Sequence, residues 1–187
     1  MIFEEKTLST EMIYEGRILN LRKDRVTVSG GDKSFREIVE HNGGAVILLI
    51  KDNGNIVVVR QYRKPFDSPF LELPAGKIDP GETPVEAAKR ELAEETGYRA
   101  GKIEALGRMI PSVGYNTEVL YLYIATDLKE GEPSPDEHEE LDIVEMKFED
   151  AIKMVISGEI EDGKTGIEYS FEVDGKTGNI LEWEIDD

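Results

Sequence analysis

The sequence predicts an α/β or α+β domain built on a mixed β-sheet. Two β-branched apolar runs, residues 45–50 and 56–62, have strand length and are joined by an Asn53-Gly54 hairpin signal. Two stretches carry helix start and stop signals, Thr83 to Gly97 and Ala151 to Gly158. Further alternating segments lie on both sides, so strands and helices intermix along the chain. At 187 residues the prior favours one domain with room for a full core and an appendage.

In chain order, residues 6–40 read as extended segments with turns at 14–17 and 29–32, forming a small N-terminal antiparallel sheet of residues 1–42. The core is expected over 43–165. After the first two core strands, 64–69 is a loop and 70–73 a short strand ending at Pro74. Strands follow at 103–109 and 118–125, with a loop at 110–117 between them. An acidic loop at 127–140 precedes a strand at 141–148 and the second helix. Residues 166–187 read as a C-terminal β-hairpin. Ile167, Tyr169, Phe171 and Val173 alternate with polar residues, then Leu181, Trp183 and Ile185 do the same after a turn. Trp183 at strand spacing suits a core position, with stacking on a base as the alternative.

The net charge of −18 comes from 22 basic and 40 acidic residues. Such a surface repels phosphate backbones and anionic lipid, so neither nucleic acid nor a membrane is an expected partner. A small anionic ligand stays open, because a divalent cation inverts the local sign. With no cysteine, disulfide and thiol chemistry are excluded. The first 16 residues lack a basic start followed by an apolar run, and the longest apolar run is six residues, so the chain is expected to be cytoplasmic.

Residues 76–98 carry the chemistry. Thr83 suits the N-cap, Pro84 the first helical position, Glu86 the partner position of a capping box, and Gly97 the C′ position. Val85, Ala88 and Leu92 share a flank that can bury, which leaves Glu91, Glu94 and Glu95 on an adjoining arc. Like charges at that spacing repel, which suggests a bound cation such as Mg²⁺, a hard ion that takes carboxylate and carbonyl oxygens. Gly76 has no side chain, so the Ala75 carbonyl can approach the same ion, and Arg90 can orient neighbouring carboxylates. The carboxylates alone fit an ordinary solvated helix face equally well.

The full spacing narrows that choice. Gly76, five residues, Glu82, seven residues, Arg90-Glu91-Leu92, one residue, Glu94-Glu95, one residue and Gly97 resembles the signature of the Nudix hydrolases at every fixed position. Tyr98 departs from it, where an aliphatic residue is usual. The resemblance implies a Nudix fold, an α/β/α sandwich around a mixed sheet, and divalent-metal hydrolysis of a nucleoside diphosphate linked to another moiety. It implies Glu91, Glu95, Glu94 and the Ala75 carbonyl as ligands of Mg²⁺, with Mn²⁺ as substitute. It also implies that Gly76, Glu82 and Gly97 are structural in the motif and that Arg90, among the catalytic residues, braces helix and loop with Glu82.

The flanks resemble ADP-ribose pyrophosphatases and related nucleotide-sugar hydrolases, at Arg60-Gln61-Tyr62-Arg63, at Glu72-Leu73-Pro74-Ala75-Gly76, at Pro111-Ser112-Val113-Gly114, and in the acidic loop. This implies hydrolysis of ADP-ribose to AMP and ribose 5-phosphate. Arg63 would meet the phosphates or terminal ribose, or else form a surface ion pair; Glu72 would meet a ribose hydroxyl, or else be a sheet-edge residue. Glu139, then Glu137, would act on the attacking water; Glu140 stays open, His138 reads as a neighbour of the base, and His41 as structural. Tyr115 lines the pocket or is simply exposed. The alternatives are GDP-mannose, a modified nucleoside triphosphate, or a nucleotide-sensing module without hydrolysis. The branch resemblance also implies a homodimer with the N-terminal strands exchanged. The tail departs from the branch and is similar to the closing hairpin of PepSY-type domains.

Overall fold

A computed structural model of the chain describes residues 4–135, 137, 140–168, 172–173 and 180–182. By contacts it divides into two compact units, residues 1–43 with 110–119, and residues 44–109 with 120–187.

The first unit is a three-stranded antiparallel sheet of β1 (Lys6–Glu15), β2 (Asn20–Thr27) and β3 (Lys33–Glu40), in that order. The turn expected at 14–17 lies two residues later. Tyr14 and Glu15 pair with Leu21 and Asn20, and the Gly16 N–H donates to the Leu19 carbonyl at 3.1 Å. The segment expected as a connecting loop, 110–117, belongs to this unit, together with the next two residues. Val39 donates to the Tyr115 carbonyl at 2.7 Å and accepts from the Thr117 N–H at 3.0 Å.

The second unit is a mixed seven-stranded sheet. Its main path runs β10 (Leu141–Lys147), β5 (Asn55–Arg63), β4 (Gly44–Ile50), β9 (Leu120–Lys129), β8 (Arg99–Met109). The short β6 (Ser68–Glu72) pairs with β5, and β7 (Ala75–Lys77) with β4. β4 and β9 are parallel and the other pairings antiparallel. Helix α1 (Pro84–Thr96) packs on one face, where Ala87, Ala88 and Leu92 meet Ala45, Ile47 and Leu49. Helix α2 (Phe148–Ser157) packs on the other, where Ala151 and its neighbours meet Val46, Leu48 and Ile50. Successive β4 side chains point to opposite faces, so a strand covered on both sides must be apolar at every position. Each fully buried Ile or Leu there contributes about 1.5–3 kcal/mol. The result is the expected α/β/α sandwich.

The chain end differs in part from expectation. Residues 163–168 form helix α3 (Gly163–Glu168), so Ile167 is helical rather than the start of a strand. Asp162 explains this: its Oδ2 accepts the Thr165 N–H at 3.1 Å, which caps the turn. Beyond it, β11 (Glu172–Val173) pairs antiparallel with β12 (Ile180–Glu182), the pairing of a hairpin. Tyr169, Phe171 and Trp183 lie outside the described residues.

Candidate active site

The strand before α1 and the helix itself bring the motif residues together. β7 pairs with β4 in the register Val46↔Ala75 and Ala45↔Gly76, which anchors the backbone at 75–76 to the central strand. The connection then turns through Gly81, at φ 88°. It closes on itself: the Asp79 N–H donates to Glu82 Oε2 at 3.1 Å and the Glu82 N–H to the Asp79 carbonyl at 3.0 Å. Pro84 opens α1, the Thr83 N–H donates to Glu86 Oε2 at 2.8 Å, and Gly97 ends the helix at φ 75°. These bonds satisfy backbone groups that a helix terminus leaves open.

Arg90 is the hub. Its Nε and Nη2 donate to Glu82 Oε1 and Oε2, both at 3.0 Å, and Nη2 also donates to the Lys77 carbonyl at 2.8 Å. Its Nη1 donates to Glu91 Oε1 at 2.6 Å and Glu94 Oε2 at 3.0 Å. A guanidinium has five N–H donors, and all five are engaged. The bond to Glu82 is the main reason the Arg90 guanidinium holds its proton even more firmly than usual. Reciprocally, the Glu82 carboxyl is held below the usual carboxylate range.

Glu95 is buried, at 4% exposure, and its Oε2 accepts the Ala75 N–H at 3.0 Å. Glu91 lies directly over Gly76, where an added Cβ would sit 1.8 Å from the Glu91 carboxyl carbon. Only glycine leaves room for that carboxylate. Glu91, Glu94 and Glu95 are carboxylates on one helix beside the backbone at 75–76, and carboxylate and carbonyl oxygens are the donors a hard divalent cation takes. Among the described residues no three acidic or histidine side chains converge into a ready coordination cage. Glu91 and Glu94 turn to Arg90 instead, so an ion there would have to share or displace that guanidinium.

A second group of charges stands just before the motif. Glu72, at the end of β6, is 3% exposed. Its carboxylate accepts Arg63 Nε at 2.7 Å and Nη2 at 2.6 Å, and also Lys164 Nζ. Burial pushes the Glu72 carboxyl up, but the Arg63 hydrogen bonds and the Lys164 charge outweigh it and hold the group below its usual value. The Glu72 hydrogen bond in turn raises Arg63. Arg63 is thus in an ion pair, with a buried rather than a surface partner, and Glu72, on the short β6 beside β5, is buried. Lys164, Asp162 and Thr165 join this group without any signal in the sequence around them. Lys164 and Glu72 are 92 residues apart, and a lysine in a Gly-flanked connector carries no local signal of a buried partner.

The acidic loop begins pinned to α1. Ser134 N–H donates to the Glu94 carbonyl at 2.8 Å, and an added Cβ on Gly97 would meet the Gly131 carbonyl oxygen at 2.4 Å. Gly97 therefore serves both the left-handed helix end and a close backbone approach. Glu137 is exposed at a turn, and Glu140 is exposed as well. Asp136, His138 and Glu139 lie outside the described residues. In the first unit, Tyr115 is exposed, and His41 Nδ1 accepts the Gly43 N–H at 3.1 Å, a local backbone role.

Residues 40–165 match the NUDIX domain family, and residues 5–39 match the nucleoside diphosphate sugar hydrolase N-terminal domain. The chain belongs to the Nudix family. It is a Nudix pyrophosphohydrolase of the nucleoside diphosphate sugar hydrolase kind. This Nudix hydrolase is 40% identical over 172 residues to the methanol dehydrogenase activator of Bacillus methanolicus, covering 91% of this chain and 93% of that one. It is 40% identical over 164 residues to the ADP-ribose pyrophosphatase of Bacillus subtilis (strain 168), covering 87% and 89%. It is 34% identical over 143 residues to the GDP-mannose pyrophosphatase of Yersinia enterocolitica, covering 71% and 74%. The crystal structure of an ADP compounds hydrolase shares the fold, with a TM-score of 0.78 at 22% identity over 89% of this chain and 90% of that one. Among the described residues, no helix of the Nudix hydrolase is long and apolar enough to cross a membrane.

Proposed function

We propose that this Nudix hydrolase cleaves the pyrophosphate of ADP-ribose to AMP and ribose 5-phosphate, or that of a similar nucleoside diphosphate sugar to the corresponding nucleoside monophosphate and sugar phosphate. The observation that carries the reading is the strand–helix join, where Glu91, Glu94 and Glu95 gather against Arg90 and the backbone at 75–76. Similarity to an ADP-ribose pyrophosphatase at 40% identity supports the substrate. Mg²⁺, or Mn²⁺ in its place, is the ion that Glu91, Glu94, Glu95 and the Ala75 carbonyl would hold, and when bound it neutralises pyrophosphate charge and acidifies water.

The chain's own groups do the rest. Arg63, half-exposed and fixed along one edge of its guanidinium, binds the substrate's phosphates through its outward side. Glu72 holds Arg63; with its carboxylate buried under two cations, a direct bond to a ribose hydroxyl becomes the lesser role. Arg90 keeps Glu91 and Glu94 oriented and ties the helix to the 77–82 connection. A carboxylate of the acidic loop, Glu139 first and Glu137 second, takes the proton of the attacking water. The enzyme acts in the cytoplasm as a homodimer through the first unit, where the whole of β1 is exposed, including Leu8, Met12, Ile13 and Tyr14.

Purified protein incubated with Mg²⁺ and a panel of nucleoside diphosphate sugars, with products read by chromatography, tests this. AMP and ribose 5-phosphate from ADP-ribose, with the highest kcat/KM of the panel, is the expected result. A preference for GDP-mannose would select the second reading, which the Yersinia relative favours. No turnover of any diphosphate sugar would overturn both. Light scattering during gel filtration reads the dimer directly.

A further inference from the structure

Glu72, Leu73, Asp162, Lys164 and Thr165 form a closed ring. Lys164 Nζ donates to Glu72 Oε2 and, at 2.9 Å, to Asp162 Oδ2. Asp162 Oδ2 also accepts the Thr165 hydroxyl. The Thr165 oxygen accepts the Leu73 N–H at 2.9 Å, and the peptide bond from Leu73 to Glu72 completes the circuit. Thr165 is fully buried, so the two hydrogen bonds of its hydroxyl are made away from water, where an unmade bond is expensive.

Arg63 is hydrogen-bonded to this ring at Glu72, through Nε and Nη2. Exposure runs one way along the array. The Glu72 side chain is 4% exposed and that of Lys164 13%, whereas that of Arg63 is 41% exposed. With Arg63 counted, the four charges of the array sum to zero; the ring without it carries one net negative charge, which the guanidinium balances. An arginine gripped by a buried ring of opposite net charge and open on its other side is arranged to present its guanidinium in one orientation. Without Lys164, Glu72 would be held from one side only, and the Arg63–Glu72 pair could swing as a unit.

We propose that Lys164 is a positioning residue for substrate binding. It fixes Glu72, which fixes the Arg63 guanidinium that meets the phosphates. The inference deepens the proposed function and rests on the role given there to Arg63.

The test is steady-state kinetics on ADP-ribose with Mg²⁺ for the wild type, Lys164→Met, Lys164→Arg, Arg63→Ala and the double variant Arg63→Ala/Lys164→Met. Lys164→Met should raise KM about tenfold with kcat within about twofold, since the interaction lost is one of binding and orientation. Lys164→Arg, which restores the charge, should bring KM back to within about threefold. In the Arg63→Ala background, Lys164→Met should change KM by less than about twofold, because residues acting as one unit are not additive. An unchanged KM in Lys164→Met, a kcat loss at constant KM, or an equal KM increase in the Arg63→Ala background would overturn the inference. Lys164→Gln carries the same prediction if Lys164→Met does not melt cooperatively; failure of both to fold would mark Lys164 as a fold element and overturn the positioning role. A wild type inactive on every diphosphate sugar overturns the functional reading and this inference with it. An active wild type with an indifferent Lys164 overturns this inference alone.

Discussion

Replacing Gly76 by alanine separates the chemistry of the site from the stability of the fold. The added methyl would stand 1.8 Å from the Glu91 carboxyl carbon and 1.9 Å from its Oε1, whereas ordinary contact begins at 3.4 Å. The carboxyl group must therefore retreat by at least about 1.6 Å, the difference between the two. It is the far end of a flexible side chain, so the backbone need not move. The retreat breaks the 2.6 Å bond from Arg90 Nη1, a charge-assisted bond worth about 1.5–3 kcal/mol. Arg90 keeps Glu82, Glu94 and the Lys77 carbonyl, and alanine restricts the unfolded chain by about 0.4–1 kcal/mol, so the net destabilisation should be near 1 kcal/mol. Misplacing a group at the reacting centre by more than 1 Å costs about 100-fold in rate. Gly76→Ala should therefore lose about 100-fold in kcat/KM on ADP-ribose while thermal and urea melts stay cooperative. Activity within threefold of wild type would refute the crowding argument, and so would a chain that no longer folds.

Two further substitutions test other parts of the account. Gly97→Ala places a Cβ at φ 75° against the Gly131 carbonyl and the Pro133 nitrogen, which are backbone atoms that cannot step aside. Urea unfolding should show a loss of about 2–3 kcal/mol, and a loss under 0.5 kcal/mol would contradict the close approach. Glu72→Gln should cost about 2–4 kcal/mol at pH 7, because Arg63 and Lys164 lose their shared anion. The folded Glu72 carboxyl lies below its ordinary value of 4.5, so its contribution is present above that value and fades as pH falls through the folded pKa. The gap between wild type and Glu72→Gln in urea midpoint should therefore shrink on acidification below 4.5, and a gap that stays constant would contradict the pairing.

Much of the fold was legible because its signals are local. The capping pattern of Thr83, Pro84, Glu86 and Gly97 marks α1 to the residue, and the unbroken apolar run of β4 marks a strand covered on both faces. Errors fell where pairing overrides local pattern. Tyr14 and Glu15 look like turn residues but are held in β1 by Leu21 and Asn20. β7 is only three residues long and has no pattern of its own; its register against Ala45 and Val46 makes it a strand. Ile167 begins an alternating stretch, yet the Asp162 cap keeps it helical. At the site, the motif places Arg90, Glu91, Glu94 and Glu95 through helical spacing alone. The link from Glu72 to Lys164 joins residues 92 apart and leaves no trace in any window of sequence.

The proposed role of the carboxylates at the strand–helix join is divalent-metal hydrolysis of a nucleoside diphosphate sugar. Glu95→Gln tests it most directly, because a glutamine carbonyl can still accept the Ala75 N–H and keep the fold while the charge is lost. Turnover of ADP-ribose by wild type and variant is measured across a Mg²⁺ titration, with thermal melts alongside. The variant should lose about 100-fold or more in kcat at every Mg²⁺ concentration with its melt nearly unchanged. An unchanged rate at saturating Mg²⁺ would contradict it.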